Sequence, residues 1–105
     1  MLYAQPIPQK STHREQGVPD GILVKRALAG DQSAFGVLVN RYRTMLASYI
    51  GGFFRDGEQV YDVLQHVFLQ LYLSLPVLLT NVSLHAWLLQ VARNRGLDEL
   101  RRMRG

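Results

Sequence analysis

A chain of 105 residues with a formal net charge of +4 has room for one hydrophobic core and no second folded unit. It contains no cysteine, which excludes disulfides, thiolate metal sites and cysteine nucleophiles and fits a reducing cytoplasm. The charge is lopsided, with five arginines against Asp98 and Glu99 in residues 93–105. That is a modest pointer to nucleic acid or another acidic partner, although arginines at a helix C-terminus also suit the helix dipole.

Residues 1–19 carry three prolines, scattered charges and no apolar stretch of signal-peptide length, and read as a flexible leader. The fold is expected in residues 20–105. Asp20 before ILVKRALA and Gly30 after it frame a short first helix, as N-cap and C-terminal glycine. A second helix is capped by Asp31 or Ser33, and its stripe is Phe35, Leu38, Val39, Tyr42, Leu46, Tyr49, Ile50 and Phe53. Gly51 and Gly52 weaken its last turn and RDG breaks the chain, after which Asp56 and Gln59 resemble a capping box.

The third helix shows Val60, Val63, Leu64, Val67, Phe68, Leu71, Tyr72 and Leu75 at helical spacing and stops at Pro76. Its greasy run, VLQHVFLQLYLSLPVLL, is interrupted by Gln65, His66 and Gln70 and broken by Pro76, so it reads as core and not as a membrane span. PVLLTNVS, residues 76–83, is the longest connection. Ser83 can cap a fourth helix whose apolar face is Leu84, Trp87, Leu88, Val91 and Ala92. Arg95 falls where the next core residue is due, so this helix is expected to be anchored by its first half and to project its second. No strand pattern or internal repeat is visible. The expected fold is all-α, a compact bundle of three long helices plus a short N-terminal one.

Catalytic chemistry is not visible. His13, His66 and His85 have no second ligand at metal spacing. No serine sits in a nucleophile elbow, the glycines read as caps and breaks and not as a phosphate loop, and the acids are dispersed. A non-enzymatic protein without cofactor or metal, working by surface recognition, is expected.

Three segments carry a resemblance. LVKRALAGDQSAFGVLVNRYRTML, residues 23–46, contains A-x-x-G-D followed by F-x-x-L-V-x-x-Y. Asp62, Gln65 and Phe68 in YDVLQHVFLQLY make D-x-x-Q-x-x-F. AWLLQVARNRGLDELRR, residues 86–102, follows W-L-x-x-[IV]-A-R-N-x-x-x-D-x-x-R-R. Together they resemble region 2 of the extracytoplasmic-function sigma factors of bacterial RNA polymerase, over roughly residues 20–105. The resemblance implies that the third helix docks on the clamp helices of the polymerase β′ subunit. It also implies that the fourth helix and the loop before it help open the minus-ten element and capture its non-template strand. The helix-turn-helix domain usual in that family is not part of this sequence. Tyr61 and His66 stand where relatives often carry acids, which lowers the negative charge of the docking face.

The residues allow these roles and also plainer ones. Asp62, Gln65, His66 and Leu69 lie off the apolar stripe and form the expected polymerase-binding set, although a polar helix face is ordinarily just solvated. Phe68 and Trp87 read as core. Arg93, Arg101 and Arg104 share one sector of the fourth helix and could grip phosphates, which alone would give weak affinity. Asn94 can meet a base edge or a neighbouring side chain. Asp98 is expected to pair with Arg102.

Thr80, Asn81, Ser83 and His85 are the remaining DNA-binding candidates, with Val77, Leu78 and Leu79 as walls for an extruded base, although such residues are also ordinary turn formers. His85 replaces a position often basic in the family. The expected function is therefore a cytoplasmic transcription-initiation domain that binds polymerase core and promoter DNA, with an anti-sigma factor as a further partner. The alternative is a truncated or degenerate sigma-like module that binds polymerase or an anti-sigma factor without productive promoter recognition. A free-standing helical DNA binder is a third reading, which the small basic patch disfavours. Promoter sequence and oligomeric state are not legible.

Overall fold

The computed structural model describes residues 17–79 and 83–104. Four helices follow in order: α1 (Asp20–Leu28), α2 (Gln32–Gly51), α3 (Gly57–Leu73) and α4 (Leu84–Arg104). A single 3-10 turn, Val77–Leu79, lies between α3 and α4. One short helix and three long ones match the expected all-α architecture. Sequence neighbours pack on one another, α2 also meets α4, and α1 meets the 3-10 turn.

The α1–α2 corner is built by local chemistry. Gly30 has φ +104°, a conformation that side chains resist. It closes a Schellman end in which the Gly30 N–H donates to Ala27 at 3.0 Å and the Asp31 N–H to Arg26 at 3.0 Å. Asp31, rather than Ser33, then caps α2 by accepting from the Ala34 N–H at 3.2 Å. The corner has no slack residue.

Asp20 is not the cap of α1. Pro19 holds that position without a side-chain cap bond, and the Asp20 carboxylate instead accepts from Arg41 Nη1 at 2.7 Å and from the Tyr42 hydroxyl. A charge-assisted pair outweighs a cap bond for a half-buried carboxylate. Arg41 also donates to the Val18 carbonyl at 2.8 Å, so the entry to α1 is clasped to the middle of α2. Burial and the Asp20 carboxylate both raise the Tyr42 pKa, so its phenol stays protonated.

The core contains Leu23, Leu38, Leu46, Ile50, Val67, Leu71 and Leu88, each 0% exposed. The stripe of α2 is centred on the expected Leu38, Leu46 and Ile50 and is widened on one side. Ala34 and Val37 are buried, whereas Phe35, Val39, Tyr42, Tyr49 and Phe53 are only partly covered. Large aromatic rings reach the core edge from flanking positions, which leaves the centre line to aliphatic side chains such as Leu38, Leu46 and Ile50. At the start of α3 the Asp56 carboxylate accepts from the Glu58 N–H at 2.9 Å. Gln59 does not complete a capping box; its amide contacts Met103 Sδ at 2.9 Å, tying the start of α3 to the end of α4.

The apolar stripe of α4 does not end at Ala92. Gly96, four residues on, is buried, and Leu100 packs against the core. A glycine adds nothing to hydrophobic periodicity, yet its bare backbone admits the ring of Phe53. Arg95 lies to one side of this line, so nearly the whole of α4 is docked.

Candidate functional site

Antiparallel packing of α3 and α4 leaves a shallow groove between them, about 380 Å³ in volume. One wall comes from α3 and includes Asp62, Gln65, His66 and Leu69. All four side chains picked out by sequence therefore meet in one place. The other wall is Arg95, Glu99 and Arg102 of α4, at intervals of four and three residues that put them on one side of the helix. Phe68 is buried at 8% exposure, as core.

The groove mixes charge with an apolar spot. Asp62 and Gln65 are exposed, His66 is half-buried, and Leu69 is 54% exposed. Gln65 Nε2 donates to the Tyr61 hydroxyl at 3.1 Å, one turn back. Across the groove the Glu99 carboxylate, largely covered, lies 2.5 Å from Arg102 Nη2 and 3.9 Å from Arg95 Nη2. Glu99 thus holds both guanidinium groups against the groove wall. Arg95, Glu99 and Arg102 were not singled out by sequence as site residues, although their spacing was visible there.

Burial, and secondarily the Arg95 charge, lower the His66 pKa below its ordinary value near 6.5. The groove charges around it are Asp62 on its own helix and Arg95, Glu99 and Arg102 on the facing one. A depressed folded-state pKa means the unfolded chain takes the proton first, so the associated stability is complete above about pH 6.5 and is lost as pH falls below it. Thermal melts at pH 7.5 and 5.5 should show a larger loss for the native chain than for His66→Gln. Equal losses would remove His66 as the cause.

The nucleic-acid candidates fall elsewhere. Arg93, Asn94, Arg101 and Arg104 are exposed on α4. The Asn94 Oδ1 accepts from Gln90 Nε2 at 3.1 Å, the local bond its plainer reading anticipated. Asp98 pairs with Arg101 at 2.8 Å, not with Arg102, because the adjacent Glu99 takes Arg102. Arg93 and Arg104 make no ion pair among the described residues.

The Ser83 hydroxyl accepts from the Ala86 N–H at 3.2 Å and caps α4. His85 is exposed and its ring is tilted against Tyr42 with centroids 6.1 Å apart. Thr80 and Asn81 lie outside the described residues. Leu78 is no pocket wall, being a core residue at 5% exposure, whereas Val77 and Leu79 are exposed. Among the described residues no helix is long and apolar enough to cross a membrane.

Fold and groove define a helical recognition domain whose surface residues sit on two neighbouring helices. The chain belongs to the sigma-70 region 2 family, whose profile matches residues 38–105, and within it resembles the extracytoplasmic-function type. It is 36% identical over 81 residues to the ECF RNA polymerase sigma-E factor of Escherichia coli K12. It is 31% identical over 81 residues to the RNA polymerase sigma-H factor of Pseudomonas aeruginosa. Each match covers 77% of this chain and 42% of the relative, so the chain spans about two fifths of the length of these curated relatives. It also resembles a solved NMR structure of an engineered region 2 of sigmaE in complex with GTAAAA. The TM-score is 0.72 at 34% identity, covering 81% of this chain and 88% of that one.

Proposed function

We propose that this chain is the part of a sigma factor that docks on RNA polymerase core and contacts the minus-ten promoter element, acting in the cytoplasm where both are found. In this reading the α3–α4 groove receives the clamp helices of the β′ subunit. The exposed cations of α4 and the segment through Thr80, Asn81, Ser83 and His85 meet the non-template strand. The observation that carries the reading is the convergence of Asp62, Gln65, His66 and Leu69 in one groove. Support for the DNA side comes from the related region 2 domain solved with GTAAAA.

Asp62→Ala together with Gln65→Ala should weaken binding to a β′ clamp-helix fragment on the order of tenfold or more, as expected when two central contacts are truncated. Titration at two salt concentrations measures it. Unchanged affinity with an intact helical spectrum would sink the docking role of α3.

A second reading, a sigma-like module that binds polymerase or an anti-sigma factor without productive promoter recognition, is favoured by one observation. Arg95, Arg101 and Arg102 are already paired with Asp98 or Glu99, which reduces the cation left for phosphate. Retained clamp-helix binding with no preference for minus-ten oligonucleotides would select it.

A further inference from the structure

We propose that Pro6, Ile7 and Pro8 of the leader fold back along α1 and occupy a second groove of this same chain, formed where the end of α1, the start of α2 and the end of α3 meet. That groove is about 500 Å³ in volume and shares no lining residue with the α3–α4 groove. The inference therefore stands apart from polymerase and promoter binding.

Two rings and two glycines shape the groove. Phe35 of α2 and Tyr72 of α3 meet edge to face with centroids 5.5 Å apart, and Tyr72 is still 59% exposed. Gly30 and Gly36 line the same space, and a Cβ placed on either would meet nothing within 4 Å. The positive φ of Gly30 accounts for that glycine. Gly36 has no such reason. It lies inside α2, where glycine costs stability relative to alanine, and no packing contact among the described residues requires the missing side chain. Bare backbone beside an exposed ring is what a closely approaching chain needs.

The leader has the reach and the chemistry to be that chain. Residues 1–16 lie outside the described residues and join the fold at Gly17, where Arg41 holds the Val18 carbonyl at 2.8 Å. From there to the groove residues Ala27 and Gly30 is the length of α1, about 14 Å. Pro8 lies nine positions before Gly17, a reach of up to about 30 Å. Proline-rich segments favour the polyproline II form, which aromatic-lined grooves receive at little entropic cost. Charge agrees as well. Asp31 is the one ionised lining residue, is exposed, and makes no ion pair among the described residues, while Lys10 follows Pro8 by two positions. A short tether brings the local concentration to the order of millimolar, so contacts too weak to hold a free peptide suffice.

The test uses the full chain, which has no cysteine, so Gln9→Cys takes a single nitroxide label. In the isotopically enriched protein the amide signals of Gly30, Gly36 and Tyr72 should lose intensity, while that of Gly57, roughly 22 Å from Tyr72 along α3, should not. Gly36→Leu fills the groove floor without meeting a neighbour at its Cβ and should restore the intensity with no fall in melting temperature. Tyr72→Ala, which removes a wall, and Pro6→Ser with Pro8→Ser, which changes the occupant, should restore it too. No loss at the groove, equal loss at Gly57, or a loss that persists in all three variants would overturn the proposal. So would a loss seen when enriched, unlabelled chain is mixed with nitroxide-labelled chain that is not enriched, because the groove would then be receiving a second copy.

Discussion

Gly96→Leu should unseat the C-terminal half of α4. A Cβ at this position would stand 3.2 Å from the nearest ring carbon of Phe53, tighter than ordinary van der Waals contact. For alanine the strain is small, since the ring can shift by a few tenths of an ångström, and the gain in helix propensity of about 1 kcal/mol offsets it. Leucine adds three more carbons in the same direction with nowhere to place them. The expected cost is about 3 kcal/mol, which lowers the melting temperature by roughly 10 °C or more in a domain of this size. Displacing α4 also separates Arg95, Glu99 and Arg102 from the α3 wall, so clamp-helix affinity should fall with stability. A leucine variant that melts like the native chain would mean that Gly96 is not a point of close approach.

The second large effect is expected at Leu78. This side chain is 5% exposed and belongs to the 3-10 turn that packs on α1. Leu78→Ala removes a buried isobutyl group from a covered site, which costs about 2–4 kcal/mol once the cavity is included. Urea denaturation measures it directly. The turn also fixes the point from which the chain departs toward Thr80 and Asn81, so oligonucleotide affinity should fall in conditions where the variant is still folded. Clamp-helix affinity should not, because the α3–α4 groove does not contain Leu78. Parallel losses of both affinities would place the effect in global destabilisation.

These two positions mark where sequence reading stopped. Helix number, order and type were legible because each long helix has a periodic apolar face and is bounded by Gly30, Asp31, Asp56 or Ser83, whose chemistry is local. Leu78 lay in a stretch that reads as loop, and only its seat against α1 shows it to be core. Gly96 left a gap in the stripe, and a gap is the form a close helix contact takes when the contact is backbone. The α3 wall was legible as the polar complement of the apolar stripe. The α4 wall was not, because Arg95, Glu99 and Arg102 become a site only through the register of α4 against α3. The choice of Arg101 over Arg102 by Asp98 was likewise undecidable, since both spacings bring side chains together on a helix. The clasp between Asp20, Arg41 and Tyr42 joins residues more than twenty positions apart, beyond the reach of capping rules.

The order in which helices touch has a kinetic side. Apart from the α2–α4 contact and the seat of the 3-10 turn on α1, each helix packs on its neighbour in the chain, and such short-range topology permits rapid assembly. During synthesis α1 and α2 can close at the Gly30 corner before α3 has emerged, and α3 can join them before α4 exists. Of these four helices, the last to emerge is the one that completes the groove and carries the exposed arginines. A chain synthesised only as far as α3 therefore presents one wall of the groove, and the second wall is added only when the final turns of α4 settle beside Gln59.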